Sequence, residues 1–205
     1  DLESYGKPLI FVDSNTLYLG HSCVTTDLED SVITALEYFL EHGHKEIGLL
    51  VGQEETADAT PLQMDPRQRT FQQFLTEKGL YEERFVSVGQ FSTESGYQMM
   101  EQLIQALGDD LPTAFFMASD ALAVGALRSL QEHQIAVPER VSLISFNDTS
   151  IAKYVFPALS TVTVYTEEMG KQAIQLLRQT FQGAQPSVPY MVKLATKLTI
   201  RDSSR

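Results

Sequence analysis

The stretch PTAFFMASDALAVGALRSL runs from Pro112 to Leu130. An apolar run, Ala114 to Ala118, stops at Ser119-Asp120, and a second apolar stretch rich in small residues follows at once. The first run is short and aromatic, which predicts a buried strand. The second, Ala121 to His133, predicts a helix. A buried strand that passes straight into a buried helix is the unit of an α/β fold. The hydroxyl and carboxylate at the joint have three readings: a helix cap, a catalytic pair or a ligand site.

The same alternation extends in both directions. Pro8 to Val12, EIGLLV (46–51), RFVSV (84–88), RVSLISF (140–146) and STVTV (160–164) read as strands. Between them, Val32, Leu36, Phe39 and Leu40 recur at helical spacing before Gly43. Asp65-Pro66 is a cap followed by a proline at the first helical position, and Phe71, Phe74 and Leu75 carry that helix to Gly79. Glu94 to Leu107 and Glu167 to Phe181 predict two more helices. A short helical piece runs to Tyr154, and the tail YMVKLATKLTI is extended. Gly52 to Asp65 is a long polar loop, of a length uncommon without a task. Strands that are apolar throughout, each followed by an amphipathic helix, predict parallel sheets covered on both faces. The fold class is α/β, doubly wound. Ligands in such folds bind beyond the carboxyl ends of the strands. The polar or aromatic residues there are Asp13, the 52–65 loop, Phe91, Ser119-Asp120 and Asn147-Asp148.

Composition narrows the function. Fifteen basic residues against 27 acidic ones give a net charge of −12, which repels nucleic acid phosphates, and no Lys/Arg cluster offsets it. No apolar run reaches the length needed to span a bilayer, so no membrane partner is expected. Cys23 stands alone, which suits a structural thiol in a reducing compartment. No Gly-rich phosphate loop, G-x-S-x-G elbow or H-E-x-x-H occurs. His21, His42, His44 and His133 fall in loops or near helix ends. The expectation is therefore no catalytic residue, no metal and no cofactor. The start, DLESYGKPLIFVD, lacks Met, carries no signal peptide and enters a strand almost immediately, which reads as a cut through a longer chain.

Three segments together carry a resemblance: GHKEIGLLVG (43–52), PTAFFMASDALAVGALRSLQEHQIAVPERVSLISFND (112–148) and FPALSTVTVYTEEMG (156–170), with KLTIRDSS closing the chain. They resemble the effector-binding region of the LacI/GalR family of bacterial transcriptional repressors, from about Lys7 to Ser204. The resemblance implies a periplasmic-binding-protein-like fold of two doubly wound subdomains with a sugar or other small effector in the cleft. It also implies a homodimer, and operator DNA bound only through a helix-turn-helix head that these residues lack. Residues 1–23 and 163–191 would form a partial N-terminal subdomain and 24–162 the C-terminal effector-binding one, with 192–205 a crossover tail. The implied function is a cytoplasmic, non-enzymatic sugar sensor. A soluble sugar-binding protein of a transport system and an α/β enzyme acting on sugars are the alternatives.

By the same resemblance the effector-binding candidates are Asp13, Arg67, Phe91, Ser119 and Asn147. Arg67 opens the family's R-x-x-G-F helix, with Phe71 as the matching aromatic and Thr70 in place of the usual Gly. An arginine fork suits paired hydroxyls or an anionic group. Arg69 takes its place if the register differs. Phe91 matches an aromatic that stacks on the sugar face. Ser119 stands where relatives often present an amide, and contact with the ligand is weighed there against simple strand termination. Asn147 stands where many relatives carry an aspartate, keeping one acceptor and adding donors. Asp120 is expected to cap the following helix and Asp148 the short one near Tyr154. Tyr165 and Thr166 are cleft candidates that strand packing explains equally well.

Overall fold

The computed structural model describes residues 7–53, 64–182 and 188–205. In chain order the strands are β1 (Ile10–Val12), β2 (Ser22–Thr26), β3 (Ile47–Gly52), β4 (Val86–Gly89), β5 (Ala114–Met117), β6 (Ser142–Asn147), β7 (Ser160–Thr163), β8 (Met191–Leu194) and β9 (Lys197–Thr199). The helices are α1 (Leu28–Glu41), α2 (Pro66–Glu77), α3 (Thr93–Leu107), α4 (Asp120–Glu132), α5 (Ser150–Tyr154) and α6 (Thr166–Phe181). Two units emerge: Asp1–Asp27 with Val164–Thr196, and Leu28–Thr163 with Lys197–Arg205.

In the smaller unit, β2 lies between β1 and β8 in a parallel sheet, with Phe11 opposite Cys23 and Val24 opposite Val192. Helix α6 buries Met169, Ala173 and Leu176 against Val24, and Ile10, Val164, Val192 and Leu194 pack around them. The sequence pattern missed β2, which falls in what reads as a polar loop. Its SCVTT carries three hydroxyl side chains and one isolated valine, too polar for a buried-strand signature, yet Cys23 and Val24 are fully buried.

The larger unit has the sheet order β4-β3-β5-β6-β7-β9. Strands β3 and β5 are buried along their whole length, as their apolar runs require. The chain steps from β3 out to β4 and returns past β3 to β5, so the winding direction reverses between β3 and β5. Helices α1 and α2 pack together, as do α3 and α4, which gives the doubly wound arrangement. One strand departs from the parallel expectation: β9 pairs antiparallel with β7, Val162 opposite Leu198, at the sheet edge. Mixed sheets of this kind commonly carry such an edge strand.

The segment 192–205 is therefore not a separate tail. Met191–Leu194 completes the smaller sheet and Lys197–Thr199 extends the larger one. Residues 24–27 also join the smaller unit, because β2 continues to Thr26.

The small residues of α4 have a sharper purpose than packing on the sheet. A Cβ on Gly125 would run into the backbone O of Thr93 and come within 2.6 Å of the Tyr97 N, both on α3. A Cβ on Gly96 of α3 would collide with the backbone of Leu122 in α4. Two facing glycines thus let the two helix backbones touch. At the far end of this crossing Tyr97 Oη donates to Glu132 at 2.7 Å. That bond, reinforced by Arg128, holds the Glu132 carboxyl below its ordinary range.

Candidate functional site

All five parallel strands of the larger sheet end on one edge, and the candidate residues of this unit follow them. Helix α2 begins there. Asp65 caps it, accepting from the backbone N of Arg67 at 2.8 Å, and Pro66 takes the first helical position. The same carboxylate grips the Arg67 side chain: Nε donates to Oδ1 at 2.9 Å and an Nη to Oδ2 at 2.7 Å. The other Nη donates to the Ala118 carbonyl at 2.7 Å. Among the described residues three of the five guanidinium N–H groups find an acceptor and two do not. Only 12% of the Arg67 side chain is exposed.

The guanidinium also sits over two rings, 4.8 Å from the centroid of Phe91 and 5.3 Å from that of Phe146. Both distances are in the range of cation–π attraction. Phe91 is half-buried on the loop between β4 and α3. Its ring lies across Gly52, where a Cβ would meet Cγ and Cδ2 and come within 2.8 Å of Cδ1. The last residue of β3 must therefore be glycine for the ring to lie flat on the strand end.

The Ser119-Asp120 joint resolves differently from the sequence expectation. Ser119, not Asp120, is the N-cap of α4, with Oγ accepting from the Leu122 N at 3.2 Å. Serine at the cap position has the reach for that bond, whereas Asp120 is already inside the first turn. Asp120 is instead 1% exposed and binds sideways. Its Oδ1 accepts from the hydroxyls of Ser145 and Thr161, and its Oδ2 from the N and Oγ1 of Thr149 at 2.6 and 2.8 Å.

Asn147 ends β6 with φ 110°, exposed and without a side-chain hydrogen bond among the described residues. Asp148 follows at φ 58°. It does not cap α5, whose N-cap is Thr149, with no side-chain hydrogen bond to the helix's own backbone. Its carboxylate is taken by Arg201 at 2.7 Å and by the Thr163 hydroxyl at 2.8 Å.

Arg67, Phe91, Ser119 and Asn147 thus share the carboxyl edge of one sheet, and Arg67 physically joins the segments that carry Phe91, Ala118 and Phe146. Arg69, two residues further along α2, is exposed and takes no part in that cluster. Asp13, Tyr165 and Thr166 belong to the smaller unit. Asp13 follows β1 at φ 61°, with its N donating to the Val24 carbonyl at 2.9 Å. Tyr165 is the N-cap residue of α6, 45% exposed, and Thr166 opens that helix. Most of the Gly52 to Asp65 loop lies outside the described residues. Asp65, Phe146, Thr149 and Arg201 were missed as site residues. Asp65 offered a signal, since an acid two residues before an arginine at a helix start can both cap the backbone and hold the side chain. Arg201 gave none, because its partner is 53 positions away.

A family model described as a periplasmic binding protein-like domain matches residues 36–204. The chain belongs to the periplasmic binding protein-like family. Among the relatives of this periplasmic binding protein-like chain is the HTH-type transcriptional regulator GalR of Streptococcus thermophilus. It is 51% identical over 204 residues, which make up 100% of this chain and 61% of that protein. The GalR regulator of Lacticaseibacillus casei is 37% identical over 203 residues, 99% of this chain and 61% of that one. Among solved structures, the complex of the transcriptional regulator CelR with cellobiose has a TM-score of 0.85 at 27% identity, covering 98% of this chain and 60% of the other. The resemblance to LacI/GalR regulators is borne out. The chain spans about three fifths of the length of these relatives. No helix among the described residues is long and apolar enough to cross a membrane.

Proposed function

We propose that this chain is the effector-sensing region of a cytoplasmic, non-enzymatic transcription regulator, and that its effector is a neutral sugar or sugar derivative. The observation that carries the reading is the Arg67 cluster: a guanidinium locked by Asp65, backed by two aromatic rings, with two donors to spare. Donors beside an aromatic face match the alternation of hydroxyls and C–H surface on a sugar ring. The similarity to GalR regulators and to a cellobiose-bound regulator supports the same reading. Asn147 supplies a second point of contact, and Asp13, Tyr165 and Thr166 are further candidates. Operator binding falls to a helix-turn-helix head in the part of such regulators that these residues do not span, in a homodimer. Effector occupancy then biases DNA binding by its differential affinity for two states.

Charge pairing favours a neutral ligand over an anionic one. Arg67 is offset by Asp65, and Arg201, which holds the residue after Asn147, by Asp148, so among the described residues neither guanidinium is an unpaired cation for a desolvated phosphate. Calorimetric titration with D-galactose, lactose and cellobiose beside galactose 6-phosphate tests this. The bound neutral sugar should exceed the phosphate in affinity by about tenfold or more, or 1.4 kcal/mol. Tighter binding of the phosphorylated sugar would reject the neutral-ligand assignment.

Gly52→Ala should weaken the same neutral sugar at least several-fold, because the Phe91 ring must leave the strand end and carry the Arg67 face with it. The titration should be read beside circular dichroism. Wild-type affinity in a folded Gly52→Ala protein would take Phe91 out of the site.

A further inference from the structure

The backbone that presents Asn147 is strained. Two consecutive non-glycine residues, Asn147 at φ 110° and Asp148 at φ 58°, lie in the left-handed half of the map. Such residues persist only where their surroundings over-determine them. On one side the surroundings are Arg201 and Thr163, which hold the Asp148 carboxylate. On the other side is Thr149, whose N and Oγ1 both donate to Asp120 Oδ2. Asp120 is buried with no cation among its partners in the described residues, and its bonds come from neutral donors on β6, β7 and the turn after β6. A carboxylate so placed is costly unless every lone pair is used. Fixing the α4 start alone does not require it, since Ser119 already caps that helix.

We propose that Asp120 is a positioning residue for Asn147: through Thr149 it sets the strained turn 147–149 and so aims the Asn147 amide at the ligand. The proposal rests on the effector reading above in taking Asn147 as a contact. The joint Ala118-Ser119-Asp120 then serves both halves of the site. The Ala118 carbonyl receives Arg67, while the Asp120 carboxylate holds the turn that carries Asn147. The spacing of the two ligand-facing groups is set by three consecutive residues of one strand-to-helix joint.

Two measurements on the 205-residue chain test it. Amide hydrogen exchange on the ligand-free protein reads the turn directly. Asp120→Ala should speed exchange at the Thr149 amide by at least about tenfold while the β5 amides stay protected. Calorimetric titration with whichever of D-galactose, lactose or cellobiose the wild type binds reads the coupling. Asp120→Ala and Asn147→Gly should each weaken binding several-fold, and the double variant should be no weaker than the weaker single. A purely structural Asp120 would give losses that multiply. Thr149→Ser, which keeps both bonds, should bind as wild type, and Thr149→Val, which keeps Asp120 and loses the hydroxyl, should bind more weakly. The Thr149 pair decides the matter if Asp120→Ala does not fold. Multiplicative losses, unchanged Thr149 exchange, or equal binding by Thr149→Ser and Thr149→Val would overturn the proposal. If Asn147→Gly binds as tightly as wild type, the effector reading fails at Asn147, and faster Thr149 exchange in Asp120→Ala still upholds the ordering of the turn by Asp120.

Discussion

Replacing Arg67 by alanine is expected to weaken effector binding by about tenfold or more, and by more than loss of the Asn147 side chain does. A hydrogen bond from a charged donor contributes about 1.5–3 kcal/mol, against about 0.5–1.5 for a neutral one. Arg67 has two such donors left after Asp65 and Ala118 take theirs. Its removal also strips the guanidinium from Phe91 and Phe146, freeing the Phe91 ring that would stack on the sugar. Arg67→Lys should fail nearly as badly, because an ammonium keeps the charge but cannot satisfy Asp65 and Ala118 together and still reach outward. For Asn147 the informative variants are Asn147→Gly, which deletes the side chain while tolerating φ 110°, and Asn147→Asp, which should be tolerated because it keeps the acceptor. Calorimetric titration with the bound neutral sugar ranks all four. An Arg67→Ala protein that is folded by circular dichroism and binds as wild type would remove Arg67 from the site.

Gly125→Ala is expected to destabilise the larger unit by about 2 kcal/mol or more. Alanine inside a helix ordinarily gains about 1 kcal/mol over glycine. Here the added methyl meets the Thr93 carbonyl oxygen and the Tyr97 N, which are backbone atoms of α3 and cannot rotate away. The two helices must separate, and overpacking of this kind costs typically 1–3 kcal/mol and occasionally more. Gly170 in α6 is the internal control. Nothing lies within 4 Å of its Cβ position and its φ is ordinary, so Gly170→Ala should stabilise by about 0.5–1 kcal/mol. Urea denaturation followed by far-ultraviolet circular dichroism should show midpoints moving in opposite directions. A Gly125→Ala midpoint at or above wild type would mean that α3 and α4 are not held in backbone contact.

The strands of the larger sheet were legible because burial on both faces leaves nothing but apolar residues, as in IGLLV and AFFM. The α2 start was legible because Asp65-Pro66 encodes both cap and dihedral. The roles of Ser119 and Asp120 were not, since both are good capping residues and only the backbone decides which one stands at the half-turn. The partners of Asp120 come from positions 145, 149 and 161, and those of Asp148 from 163 and 201. No local pattern links them. The β2 strand was hidden by its hydroxyls, and the antiparallel β9 by a tail whose extended character says nothing of direction.

The stretch Lys197–Arg205 runs back into the larger unit, where Ser203 Oγ accepts from the Ser160 N at 2.8 Å and donates to the Leu143 carbonyl at 2.7 Å. Arg201 likewise donates to the Leu159 carbonyl at 2.7 Å and to Asp148. During synthesis these groups arrive only after the whole of Val164–Thr196 has been translated. At about 5–20 residues per second, β7 waits seconds for its antiparallel neighbour. In that interval β7 is an open edge, and Asp148 is a carboxylate without its guanidinium. A nascent chain in this state offers an edge that another strand can pair with. Closure of this sheet edge thus waits on translation of Val164–Thr196, the later of the two segments that build the smaller unit.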